Sequence, residues 1–414
     1  MAKSIDLGLR VPDNGGLPEQ AGIGASDRTF HAYVHVPFCR VRCGYCDFNT
    51  YTSSELGAGE SAVNQNDFAA VLASEIDFSE DALALSGIPQ RPLASVFFGG
   101  GTPTLLPASD LVGLLSKLSE AFGLAADAEI TSEANPDNLD EAYARELKLG
   151  GFTRLSIGMQ SADEDVLKTL DRTHNPESVA TAVAAAKSAG LSVSVDLIYG
   201  APGESIEQWR RSLEQAIALE PDHISAYSLI VEDGTKLAKQ IQRGELPEPD
   251  EDLQAEKYEL ADALLAAAGF EWYELSNWAR SSAQRSRHNE AYWLSNDWWG
   301  YGPGAHSHVG GVRWWNVKHP AAYTQRLRDG VSPGHSSELL NERVRLEERI
   351  LLEIRMVGGL DLELVKRVNP DYQKVVAQAI ADGLVDAKSA ISGRLVLTLR
   401  GRLLADALVR DLLG

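Results

Sequence analysis

The sequence predicts an α/β fold: a partial (β/α)6 barrel of parallel strands, followed by a mostly helical, winged-helix-like C-terminal domain. Three observations carry this prediction. Six short apolar runs alternate with helix-like stretches, the pattern of a parallel sheet. Polar or glycine-rich residues gather where those runs end. After about residue 230 the alternation gives way to an aromatic-rich region and then to a nearly neutral, helical tail.

Residues 1–29, with their Gly, Pro and Asp content, read as a flexible lead-in. Residues 30–230 hold the barrel. Its strands are AYVHV (32–36), SVFFGG (95–100), EITSEAN (129–135), RLSIGMQ (154–160), VSVDLIYG (193–200) and HISAYSLI (223–230). Between them lie DFAAVLASEIDFSEDALAL, ASDLVGLLSKLSEAFG, LDEAYARELKLGG, PESVATAVAAAKSAG and SIEQWRRSLEQAIALE, several closing on the glycine that suits a helix C-terminus. Such a fold collects its functional groups at the C-terminal ends of the strands. The strand ends here carry a cysteine loop, GGGTPT (99–104), Glu133, Gln160 and, late in its strand, Asp196. One strand-end Glu or Gln more often caps a turn than binds a ligand; five converging ends are harder to explain as caps.

Residues 231–333 read as a polar, proline-bearing connection and helix leading into the aromatic-rich region, with Trp272, Trp278, Trp293, Trp298, Trp299, Trp314 and Trp315. Residues 334–414 form the C-terminal domain, in which two helical stretches precede the hairpin-like LVDAKSAISGRLVLTLRG. From 342 to 414 the chain holds 12 Lys or Arg against 11 Asp or Glu. A winged-helix-like module without a basic stripe suits packing or a lid better than nucleic-acid binding.

With 44% hydrophobic and 23% charged residues, the composition is that of an ordinary globular protein. A formal charge of −21 argues against nonspecific binding to nucleic acid or anionic lipid. No apolar run approaches the roughly 20 residues that span a bilayer, and the start lacks a secretory layout. A cytoplasmic location is the expectation.

All three cysteines, Cys39, Cys43 and Cys46, lie within one loop. An odd count with no distant partner does not make a disulfide framework; adjacent thiols in a reducing compartment hold a metal or do redox chemistry. A structural zinc site would need a fourth ligand, His35 or a distant His. A cubane iron–sulfur cluster takes one ligand per iron, so three cysteines leave one iron open to an exogenous ligand.

This CxxxCxxC loop after the first strand resembles the radical S-adenosylmethionine (SAM) superfamily. YVHVPFC, FFGGGTPT, SEANPD, RLSIGMQS, LDRTHN and DLIYGAPGE are similar, in order, to its oxygen-independent coproporphyrinogen III oxidase-like branch, over roughly residues 30–410. The resemblance implies a 4Fe–4S cluster on Cys39, Cys43 and Cys46, and SAM bound at its open iron. Gly100, Gly101 and Thr102 would lie along the SAM methionine, Glu133 would take its ammonium and Arg172 its carboxylate. Gln160 and Asp196 would bind the ribose hydroxyls, with Tyr33 and Tyr45 lining the site.

Within that branch, the decarboxylating oxidases carry a fourth cysteine two residues after the third; here Phe48 stands there. The related HemW-type heme chaperones lack it and carry HNxxYW, present here as His288, Asn289, Tyr292 and Trp293. The resemblance therefore implies heme binding around His288, within flat aromatic surroundings, and transfer to acceptor hemoproteins. Oxidase activity is the alternative. GYGPGAHSH (300–308), with His306 and His308, reads as a wall of the substrate pocket. SAM cleavage, homodimerisation and peripheral membrane contact stay open at this stage.

Overall fold

Six parallel strands form the centre of the sheet: β1 Phe30–Val36, β2 Leu93–Gly100, β3 Leu124–Ala134, β4 Arg154–Gln160, β5 Ser192–Tyr199 and β6 His223–Ser228. Each pairs with the next in chain order. The computed structural model describes residues 8–56 and 65–414. The strands are apolar on their outer face because helices cover it: α1 Gln65–Leu85, α2 Ala108–Phe122, α3 Glu141–Leu149, α4 Glu164–Thr169, α5 Pro176–Ser188 and α6 Ile206–Ala218. Only the short α4 goes beyond the segments expected from sequence. Asp140, Asp163, Asn175 and Ser205 cap α3 to α6 by accepting from first-turn N–H groups.

The expectation of a separate connecting region at 231–333 needs correction, because these residues extend the barrel sheet on both sides. After α7 Lys236–Gln242 and α8 Glu251–Ala267 come strands β7 Glu271–Glu274 and β8 Asn277–Ala279; β8 adds antiparallel to β6, and β7 antiparallel to β8. Then comes α9 Arg287–Trp293, and β9 Asp297–Tyr301 adds parallel to β1. Strands β10 His306–Val309, β11 Val312–Asn316 and β12 Gly334–Leu339 continue outward, antiparallel, with α10 Pro320–Arg328 between the last two. The result is one twelve-stranded sheet. The tryptophans are largely its packing material. Trp272, Trp278, Trp299 and Trp314 are buried in the main core, the last two edge to face at 4.8 Å.

The lead-in also differs from expectation. Residues 1–7 lie outside the described residues. From residue 8 the chain is packed down: Leu9 pairs with Ser337 of β12, Ala21 and Ala25 are buried, and Arg28 and Arg91 share the fully buried Asp297 of β9. A buried pair, Lys257 of α8 with Glu204 of the APGE turn at 2.9 Å, ties α8, which packs on α6, to the turn that follows β5.

The C-terminal helical region begins after β12, later than the expected residue 334. It comprises α11 Glu342–Glu353, β13 Leu360–Asp361, α12 Leu362–Val368, α13 Tyr372–Ala381, α14 Ala387–Ile391, β14 Arg394–Leu395, α15 Leu399–Leu403 and α16 Ala405–Leu413. It has its own core, including Ile350, Val365, Leu395 and Leu408. The expected hairpin over 384–401 is interrupted by α14. What remains is a single Val385–Leu397 bridge, and β14 pairs instead with β13. Arg402 fastens this region to the barrel, bonding Asp262 at 2.9 Å and lying 3.6 Å over the Trp272 ring. No helix among the described residues is long and apolar enough to cross a membrane.

Candidate cluster and ligand site

The loop that leaves β1 is tied at both ends. Phe38 bridges Tyr51, the Cys39 N–H donates to the Tyr51 carbonyl at 3.0 Å, and the Gly101 and Thr102 N–H groups donate to Val36 and Phe38 at 2.8 Å. The backbones approach so closely that a Cβ on Gly101 would lie 2.4 Å from the Phe38 carbonyl oxygen. On Gly100, at φ 107°, it would lie 2.3 Å from His35 Nδ1. The His35 ring is itself held between the Tyr33 hydroxyl at 3.0 Å and the Asn49 carbonyl at 2.9 Å. These ties present all three thiols to one cavity of about 660 Å³ at the C-terminal ends of the strands.

Burial pushes the Cys39 thiol up to about 11, with Cys46 and Cys43 adding to the effect, and burial also raises Cys46. Buried thiols such as Cys39 and Cys46 ionise when a cation compensates them. Among the described residues, no three His, Cys, Asp or Glu side chains gather around a point that one metal ion could fill. Three thiols that line one common space fit a cluster that gives each its own iron.

Around the same cavity, Glu133 at the end of β3 accepts from the Gly100 N–H at 3.1 Å. Burial pushes this carboxyl up to about 7, with nearby Asp196 adding to it and the Gly100 bond opposing. Arg172 reaches the Gly158 carbonyl at 3.1 Å and Cys43 Sγ at 3.6 Å, yet its buried Nε has no partner. An under-bonded guanidinium and a buried carboxyl on one wall suit a zwitterionic ligand. Asp196 accepts from Ser156 at 2.6 Å and Ser194 at 3.3 Å. Gln160 sits at φ 61° beside an irregularity in β4 that turns its side chain toward the cavity, at a cost of about 1–3 kcal/mol.

The opposite end of the barrel is closed by α9. Glu129, inside β3, accepts from the N–H groups of Arg287 at 3.1 Å and His288 at 3.3 Å, capping the helix, and pairs with buried Arg154 at 3.4 Å. His288 thereby projects into the barrel from below and is 2% exposed. Its Nδ1 meets Ser95 Oγ at 2.7 Å and its Nε2 the Tyr292 hydroxyl at 2.8 Å. Phe97 stacks on the ring at 5.0 Å. Burial first, then His31, depresses His288 well below the usual imidazole range, so the ring is neutral.

Cys39, Cys43, Cys46, Tyr33, Tyr45, Gly100, Gly101, Thr102, Glu133, Gln160, Arg172, Asp196, His288, Asn289 and Tyr292 all line this cavity. Trp293 does not; its side chain lies beside Glu274. The aromatic surroundings of His288 come mainly from Phe97 and Tyr33 of the barrel and from Tyr292, rather than from the tryptophan-rich strands. Nor do His306 and His308 form a pocket wall: they lie on β10, His306 stacked on Trp315 and His308 bonded to the Asn296 carbonyl. Sequence reasoning missed His31, Ser95, Glu129 and Arg154. Their signal is a polar residue every second position along a strand, as in His31, Tyr33 and His35 of FHAYVHV.

Comparison with known proteins supplies the family. A model described as the radical SAM superfamily matches residues 33–216, and one described as the HemN C-terminal domain matches residues 340–404. The heme chaperone HemW of Mycobacterium tuberculosis is 45% identical, over 93% of this chain and 95% of that one. The heme chaperone HemW of Bacillus subtilis is 31% identical, over 92% and 99%. Among solved structures, the coproporphyrinogen III oxidase HemN of Escherichia coli is 23% identical and shares the fold, with a TM-score of 0.78 over 95% of this chain and 92% of that one. The chain belongs to the radical SAM superfamily and, within it, to the family of the heme chaperone HemW.

Proposed function

We propose that this protein is a heme chaperone that takes up heme and passes it to acceptor hemoproteins, with a SAM-ligated 4Fe–4S cluster housed in the same barrel. The observation that carries this reading is the full-length relationship to HemW at 45% identity. Cys39, Cys43 and Cys46 would each hold one iron of the cluster. Glu133 would take the SAM ammonium, Arg172 its carboxylate, and Asp196 with Gln160 the ribose hydroxyls. Tyr33 and Tyr45 would line the SAM site, beside the Gly100–Thr102 backbone. When reduced, such a cluster supplies the electron that cleaves SAM.

Heme would be held through His288, with Asn289 and Tyr292 beside it and Trp293 packed behind. Nε2 faces the cavity side, and the Tyr292 hydroxyl is the group that iron would displace there. Phe97 and Tyr33 provide the flat, apolar walls that a macrocycle requires.

The test is hemin titration of full-length protein followed by transfer to an apo-hemoprotein. His288→Ala should weaken heme binding and leave iron and sulfide content unchanged; unaltered heme affinity would overturn the ligand assignment. In parallel, reconstituted protein is given reductant, SAM and coproporphyrinogen III without oxygen. Formation of 5′-deoxyadenosine without protoporphyrinogen is expected; stoichiometric decarboxylation would favour the oxidase reading.

A further inference from the structure

Beneath His288 runs a continuous line of hydrogen bonds. Thr29 Oγ1 meets His31 Nε2 at 2.7 Å, His31 Nδ1 meets Ser95 Oγ at 2.7 Å, Ser95 Oγ meets His288 Nδ1 at 2.7 Å, and His288 Nε2 meets the Tyr292 hydroxyl at 2.8 Å. The sequence positions are far apart, but His31 and Ser95 are register partners across β1 and β2. His31, Ser95 and His288 are each at most 2% exposed. Thr29 is exposed at one end, and Tyr292 lines the cavity at the other.

Ser95 has one hydroxyl proton and two imidazoles to satisfy. It must donate to one ring and accept from the other. The two histidines therefore carry their protons on opposite nitrogens. In one direction Thr29 donates to His31, His31 Nδ1–H to Ser95, Ser95 to His288 Nδ1, and His288 Nε2–H to Tyr292. In the other, Tyr292 donates to His288 Nε2, His288 Nδ1–H to Ser95, Ser95 to His31 Nδ1, and His31 Nε2–H to Thr29. Both directions hold five protons and no net charge. Passing from the first to the second takes one proton in from solvent at Thr29 and releases one at Tyr292.

We propose that Ser95 and His31 are positioning residues for His288, and that the direction of this chain decides whether its Nε2 is open to a metal in the cavity. Only the second direction leaves a lone pair on Nε2, and there the same chain holds Nδ1–H from behind, as the second partner of a metal-bound histidine does. The proposal rests on the reading of His288 as the heme ligand.

The test uses full-length protein with ¹⁵N-labelled histidine. In the heme-free state, ring-nitrogen shifts should show His31 and His288 protonated on opposite nitrogens. Loading zinc protoporphyrin IX, a diamagnetic stand-in, should place the His31 proton on Nε2. Ser95→Ala should weaken hemin binding by about ten- to hundred-fold, and Ser95→Thr, which keeps the hydroxyl, should restore most of it. If both rings carry protons on the same nitrogen, or if Ser95→Ala binds hemin as tightly as wild type while His288→Ala does not, the chain has no such role. If His288→Ala itself binds hemin unchanged, it is the ligand reading that fails.

Discussion

The two ends of the barrel solve the problem of buried polarity in opposite ways. At the floor, the polar groups complete one another: Glu129 serves Arg154 and the α9 N-terminus, and His223 sits between Ser194 and Tyr273 at 2.8 Å each. At the mouth, comparable groups are left short. Arg172 Nε has no partner, burial raises the Glu133 carboxyl, and three thiols line one cavity. Since unpaired buried polar groups are costly, the difference separates what folding completes from what a ligand completes. Apart from His288, whose Nε2–Tyr292 bond is the one a heme iron would displace, the floor is scaffold, and the mouth is a receptor.

The strongest way to break this comparison is at the cluster loop. Cys43→Ala should abolish the broad absorption near about 400 nm of reconstituted protein while leaving the melting of the cluster-free protein unchanged. A large fall in melting temperature would mean that the loop is scaffold too. At the floor the converse holds. Glu129→Ala strands Arg154 and uncaps α9, and should cost about 3–5 kcal/mol in denaturant unfolding. A loss below about 1 kcal/mol would contradict the scaffold reading.

A smaller effect sharpens the mouth. Glu133 keeps a proton up to about pH 7 in the folded, ligand-free protein, whereas its ordinary value is 4.5. The folded state therefore binds more protons than the unfolded one between those values, and this group reduces stability as pH rises from about 4.5 to about 7. A bound ammonium favours the ionised form. SAM affinity, measured calorimetrically, should fall as pH drops below about 7 in wild type and be weaker but flatter with pH in Glu133→Gln. An unchanged pH profile in that variant would remove Glu133 from the ammonium site. The smallest effect belongs to Phe48, 64% exposed beside the cavity. Phe48→Cys should shift stability by no more than about 0.5 kcal/mol and yield no protoporphyrinogen from coproporphyrinogen III.

The mouth was the legible end. Its strands read as short apolar runs, and the cysteine spacing and glycine run stand at their C-terminal ends, where sequence order and spatial position coincide. The floor was not, because its contacts join residues far apart in the chain: His31 with Ser95, Glu129 with His288. A step-of-two reading would have exposed part of it, since Ser95, Phe97 and Gly99, or Glu129, Thr131 and Glu133, share one inward face. The outer strands escaped for another reason. DWWGY and VRWWN are short and place one tryptophan on each face, so the alternation that marks a half-buried strand is absent.

The pairing of β9 with β1 has a consequence for how the protein is made. The first barrel strand emerges from the ribosome early, yet its outer edge is covered only when residues 297–301 arrive, more than two hundred and fifty residues later. During that interval the nascent sheet presents a bare, apolar strand edge, the feature most prone to pairing with another chain. A fragment ending near residue 230 should collect as aggregate rather than as a working barrel.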